Sequence, residues 1–351
     1  MGDETTTERM SSYEKRAWEQ SLRRLHEPPS KRIIPQKVRE ATGNTLKRAN
    51  DFADEHLSAQ TVKDIADKGL NGAFELTFVP ALRSASIEGA LTGYRKRFDA
   101  VDTVEDLKDL DVKELDGFRR HKSRYVVGSA AQGTAVSLVI TGTTVSTTVS
   151  GGATAGVMVG AMVTDAVAVL ALMGRTVGSI AVRYGYDVRL PEEELFAMGV
   201  ISMGTASGAQ ARYAALASLS RLTQQMMRRA TWDQLNKHVL VKVLQQMFKV
   251  LGLRLTHRKL AQAVPVAGVA ISGALNASLT KTLYQRAEDI YRVRFLTEKY
   301  GLDTDAWLRG APSDIAEGEP AEQTTDMIEM LEAELEAEGY SAGELGDGLP
   351  G

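Results

Sequence analysis

Four polar side chains sit where a polar group is costly: Asp165, Arg175, Asn276 and Arg292. Asp165 closes a run of forty uncharged residues, Tyr125 to Thr164, and Arg175 ends the apolar continuation of that run. Asn276 lies in a second uncharged stretch, Leu260–Ser278, and Arg292 in the polar segment after it. A carboxylate or amide inside an apolar helix requires a partner. Two chemistries fit: a polar site between the two small-residue segments that binds a lipid headgroup or an ion, or a buried Asp–Arg or Asp–Asn pair that only fixes helix register. The second is the simpler reading, because buried ionic groups often do no more than this.

Recognisable catalytic chemistry is missing from the sequence. There is no Cys, and the five His residues include no i,i+4 pair. No H-E-x-x-H, P-loop, strand-borne G-x-G-x-x-G or G-x-S-x-G elbow occurs, so no catalytic residue, metal ligand or cofactor is assigned. The acids Glu192–Glu194 follow Pro191 and read as the first turn of a helix, where acids oppose the positive dipole end.

Charge is divided unevenly. Twelve acids and no base follow Arg309, so the rest of the chain carries 42 bases against 33 acids. A basic body suits an anionic partner. Arg119, Arg120, Lys122 and Arg124 stand directly before the uncharged run and could meet an anionic membrane surface at roughly 1 kcal/mol per residue. Nucleic acid is a poor partner, because aromatics are not interleaved with the bases. No protein partner is implied.

The elements that would position these residues are helices. The uncharged run divides near Val149–Gly152 into a hairpin, and Gly152, Gly156 and Gly160 share one face of its second arm. Such a face allows close backbone approach. Insertion of 125–174 into a bilayer is marginal. Seven Val or Leu residues in the 19-residue window around Asp165 each favour it by roughly 0.3–0.6 kcal/mol, and the central Asp costs about 2.5–3.5 kcal/mol. A reversibly inserting or peripheral hairpin fits both numbers. The alternative is a packed pair of core helices.

Further helices are expected from Ser12 to Pro28, over two short pieces broken at Leu110–Val112, from Pro191 to about Gly204, over Ala206–Arg229 and Trp232–Leu251, and as a polar amphipathic helix over Lys281–Tyr300. No strand alternation is sustained. The expected fold is all-α, a multi-helix bundle around the Gly/Ala-rich hairpin. A disordered leader (1–11) and an acidic, mostly disordered tail (312–351) flank one helical domain (12–311).

Three blocks together resemble the EcsC family of bacterial proteins. They are YEKRAWEQ (Tyr13–Gln20), the region from Asp165 through LMGRTVGSIAVRYGYD to EEELFAMGVIS (ending at Ser202), and AVPVAGVAISGALNAS (Ala263–Ser278) followed by YRVRFLTEKYG (Tyr291–Gly301). The blocks occur in the family's order over roughly 12–301. Family members usually carry Ile-Pro after the central Asp; here Ala166-Val167 follow Asp165. The resemblance implies a membrane-associated, non-enzymatic accessory to transport or envelope processes, cytoplasmic at the inner face of the membrane. The alternative is a soluble helical hydrolase or ligand-binding protein, which requires a pocket where titratable groups converge.

Overall fold

The computed structural model describes residues 9–27, 59–118, 155–206, 208–228, 237–260, 268–309 and 327–337. Every regular element among them is helical. In chain order these are α1 (Ser12–His26), α2 (Ala59–Ala73), a π-helical turn (Phe74–Phe78), α3 (Val79–Leu82), α4 (Ile87–Arg95), a 3-10 turn (Glu105–Asp109) and α5 (Val112–Asp116). Then follow α6 (Ala155–Ala181) with a 3-10 extension (Val182–Tyr184), α7 (Pro191–Thr205), α8 (Ala209–Met227), α9 (Lys237–Leu260), α10 (Gly268–Tyr300), a 3-10 turn (Thr304–Trp307) and α11 (Met327–Ala337).

Local sequence explains most boundaries. Ser11, one residue before the expected cap, accepts from the Glu14 amide, and the Glu14 carboxylate accepts from the Ser11 amide. This reciprocal box satisfies two donors that a helix start leaves open. The break at Leu110–Asp111 forms as expected, and Asp111 and Glu114 make a second box that starts α5. Gly185 takes φ 88° where α6 ends, and Gly301 takes φ 64° after α10, both left-handed and suited to glycine. Pro191 occupies the first turn of α7 with Glu192, Glu193 and Glu194.

The core is organised around α6, which packs against α2, α3, α7, α9 and α10. From Met162 onward most of its apolar side chains are buried, with Ala168, Ala171 and Leu172 half-buried. Two of its glycines permit the closest approaches: a Cβ at Gly178 would stand 2.5 Å from the Leu82 carbonyl oxygen, and one at Gly174 would stand 2.9 Å from the Phe78 ring. The π-helical turn and α3 press into this face. At Gly160 a Cβ would meet no atom of the described residues within 4 Å. The expected first arm of the hairpin, Gly152 and the basic cluster Arg119–Arg124 all lie outside the described residues.

One element differs from the sequence reading. The uncharged segment before Ser278 and the polar helix after it, expected apart, join in the single helix α10. Its polar half is not a surface element: Arg286, Glu288, Asp289, Arg292 and Arg294 are all buried. Within the acidic tail, α11 docks Met327, Ile328, Leu331 and Leu335 against α8 and α9. Gly199 of α7 leaves the room that Met327 and Leu219 fill. Lys242 pairs with Glu334 at 2.8 Å across this contact.

Candidate functional site

The C-terminal half of α10 is the polar axis of the molecule. Toward α1 and α5, the Arg292 guanidinium donates to both oxygens of Asp116 (2.9 and 3.0 Å), to Ser21 Oγ (3.1 Å) and to Asp289 (3.3 Å). Tyr13 and Tyr184 donate to Asp116 at 2.7 and 3.1 Å, and Ser21 donates to Asp289 at 3.0 Å. Arg24 forks onto Asp289. Burial alone would depress the Arg292 pKa, but the surrounding acids and tyrosines more than reverse it, so the guanidinium stays charged. Burial pushes the Tyr184 hydroxyl up to about 12.

About two turns further along α10, Glu14 binds three elements together. Beyond its capping role it accepts from Tyr300 Oη (2.7 Å), Lys299 Nζ (3.0 Å) and the Val112 amide (3.4 Å). Burial would raise its pKa, yet the bonds from Tyr300, Lys299 and Ser11 outweigh burial and hold the carboxyl below its ordinary range.

On another side of α10 the polar groups line a cleft of about 560 Å³. Arg294 forms its floor. It donates to both oxygens of Glu193 (2.6 and 2.7 Å) and to Glu298 (2.8 Å), and it lies between the rings of Tyr186 and Phe196, 3.9 and 4.2 Å from their centroids. Burial raises the Glu193 pKa while Arg294 opposes that rise. Lys108 approaches Glu298 at 3.5 Å. The lip is apolar: Leu190 and Met227 line the cleft and are among the few large hydrophobic side chains left exposed. The cleft therefore pairs a charge-compensated floor with an apolar rim, a form suited to an amphipathic ligand. Of the four acids that line it, Glu193 and Glu298 are held by Arg294, and Glu105 and Glu192 lie on the same cleft. No grouping of three or more metal-ligating side chains occurs among the described residues.

Of the four sequence-derived polar residues, Asp165, Arg175 and Arg292 stand apart from one another. Asp165 is fully buried in α6, and Arg175 is exposed ten residues further on, about 15 Å along the same helix. Asp165 is also separated by about 30 Å of helix from Tyr184, where the Arg292 cluster begins. Asn276 lies on α10, but its side chain is outside those described. Arg292 alone of the four stands in a described polar cluster. Its partners Asp116 and Asp289, and the Arg294–Glu193–Glu298 group, were not singled out from sequence. The spacing Asp289–Arg292 (i,i+3) and Arg294–Glu298 (i,i+4) was the available signal.

Residues of all three sequence blocks meet here, joined by Ser21, Arg24, Asp116, Glu288 and Asp289 from outside them. Tyr13, Glu14 and the helix they begin lie against Asp289, Arg292, Lys299 and Tyr300, and Arg183, Tyr184 and Glu193 lie against Glu288, Asp116 and Arg294. The EcsC protein family matches residues 4–296 of the chain. The chain belongs to the EcsC protein family. Its α10 charge lattice is thus the structural meeting point of the EcsC blocks. An uncharacterized protein of Bacillus subtilis (strain 168), YdbA, is 30% identical over 140 residues, covering 39% of this chain and 48% of that relative. The match spans about half the relative's length. No solved structure matches the chain.

Proposed function

We propose that this EcsC protein is a non-enzymatic accessory that associates with the inner face of the membrane, its helical body remaining folded as a water-soluble bundle. The observation that carries this reading is the division of the uncharged sequence. Met162–Tyr184 is long and apolar enough to span a bilayer, with mean hydropathy 1.5, yet 67% of it is buried inside the protein. Lipid contact then falls to the uncharged residues that precede Met162, and the four bases at 119–124 meet anionic headgroups.

Flotation of the full chain with phosphatidylglycerol vesicles tests it. Binding is expected at low salt, with neutral phosphatidylcholine vesicles binding at least tenfold less. Replacing Arg119, Arg120, Lys122 and Arg124 by Gln should cost a further tenfold or more. Equal recovery with both lipids counts against the electrostatic contact. A second reading, a ligand-binding protein, is favoured by the 560 Å³ cleft above Arg294. Saturation of that cleft by an amphipathic small molecule, lost in Arg294→Met, would support it.

A further inference from the structure

α11 and the two helices beneath it are opposite in charge. α11 carries four Glu and no base. α8 carries two Arg, α9 carries six Lys or Arg, and neither carries an acid. Between α8 and α9 runs an apolar groove. Met327, Ile328, Leu331 and Leu335 of α11 fill it, all buried, at the i, i+1, i+4, i+8 spacing of one helix face. Met327 reaches through to α7, where a Cβ at Gly199 would stand 3.2 Å from its sulfur. At the rim the Glu334 carboxylate pairs with Lys242 Nζ at 2.8 Å and accepts from Gln246 Nε2 at 3.3 Å.

α11 sits on this groove as an occupant of a body that is complete without it. α7, α8 and α9 lie within residues 4–296, which the EcsC family matches, and α11 lies beyond them. α9 packs also against α2, α6 and α7, so the core around it persists when α11 leaves. Eleven residues are too few for a stable helix alone in water, so α11 owes its helical form to the groove. The groove thus selects two properties together, an apolar stripe and an acidic flank.

We propose that the groove of α7, α8 and α9 is a docking surface for an acidic amphipathic helix of a partner protein, with α11 as its resident, displaceable occupant. The partner helix presents apolar residues at the spacing of Met327, Leu331 and Leu335 and a carboxylate toward Lys242 and Gln246. Because α11 docks within its own chain, the partner competes against a roughly millimolar effective concentration, and α11 sets the threshold for capture. The surface is separate from the membrane contact and stands or falls without it.

The full chain carrying Leu331→Asp with Leu335→Asp, which frees the groove, tests the proposal. The probe is a labelled peptide of the sequence Thr325–Glu338. Saturable binding to the freed variant is expected, with the wild type binding roughly tenfold less or weaker. Adding Lys242→Glu to the freed variant should weaken the peptide by about threefold or more. Hydrogen exchange of the wild type decides even where the variant does not fold. Amides of α11 should exchange roughly a hundredfold faster than those of α9, because α11 lifts while the body stays closed. Equal peptide binding by wild type and variant, no binding by a folded variant, or exchange of α11 at the rate of α9 would overturn the proposal. A freed variant that gains binding to phosphatidylglycerol vesicles and not to the peptide assigns the face to lipid and overturns it as well.

Discussion

Two long helices cross the core, and their compositions are opposite. α6 carries two charged residues in 27, whereas α10 carries eight in 33. On hydropathy alone, α6 belongs in lipid and the C-terminal half of α10 in water. Both are buried, for different reasons. α6 offers a backbone that can be approached at Gly174 and Gly178, so neighbouring elements replace lipid around it. α10 offers charges, and Glu288, Asp289, Arg292, Arg294, Glu298 and Lys299 are met by counter-charges from α1, α5, α7, the turn after α6 or α10 itself. Burial in this protein follows from complementarity, of shape in one helix and of charge in the other.

The comparison can be broken first at its charged side. Arg292→Met leaves Asp116 buried without its cation, and about 3–5 kcal/mol of stability should be lost in urea denaturation. The double variant Arg292→Met with Asp116→Asn should lose less than the single one, because the uncompensated charge is gone. Similar losses in both variants would show that packing, not charge pairing, holds α1 and α5 to α10.

The apolar side yields next. Gly178→Ala drives a methyl group against the Leu82 carbonyl, a backbone atom that cannot step aside, and about 1–3 kcal/mol should be lost. Gly160→Ala meets no atom of the described residues and should gain stability, by up to about 1 kcal/mol from helix propensity. Opposite signs for two glycines of one helix would fix where its packed part begins.

A finer test uses pH. The folded Glu14 carboxyl has a pKa below its ordinary value of 4.5, so its contribution is present above that value. As the pH falls below 4.5 and through the folded pKa, the folded state must be protonated at greater cost and the contribution is lost. Glu193 and Glu194 are shifted upward by burial and act with the opposite sign, so the difference between wild type and Glu14→Gln isolates the effect. The stability gap between the two proteins should narrow from pH 6 to pH 3 in urea midpoints. A constant gap would remove Glu14 from the acid response.

Much of the fold was legible because caps and breakers act locally. The break at Leu110–Asp111, Pro191 and Gly301 set boundaries through their own backbone neighbours, and the first helix starts from Ser11, one residue before the expected Ser12. The candidate site was less legible because its partners are far apart in sequence. Asp116 and Arg292 are 176 residues apart, and nothing in their flanking residues marks the pairing. The face of α10 misled for a related reason. Arg292 and Arg294 point to different sides of the helix, which reads as a solvated surface unless each side has its own acids waiting. Asp165 drew notice as the only acid of an apolar helix, but residues that interact with the α10 lattice lie at the far end of that helix.

The account rests most on α6 being a core helix in a protein that meets the membrane only from outside. Fractionation of the untagged protein is the direct measurement. The account predicts recovery with membranes at low salt and complete release by alkaline carbonate. Carbonate-resistant protein would place an uncharged segment across the bilayer and contradict it.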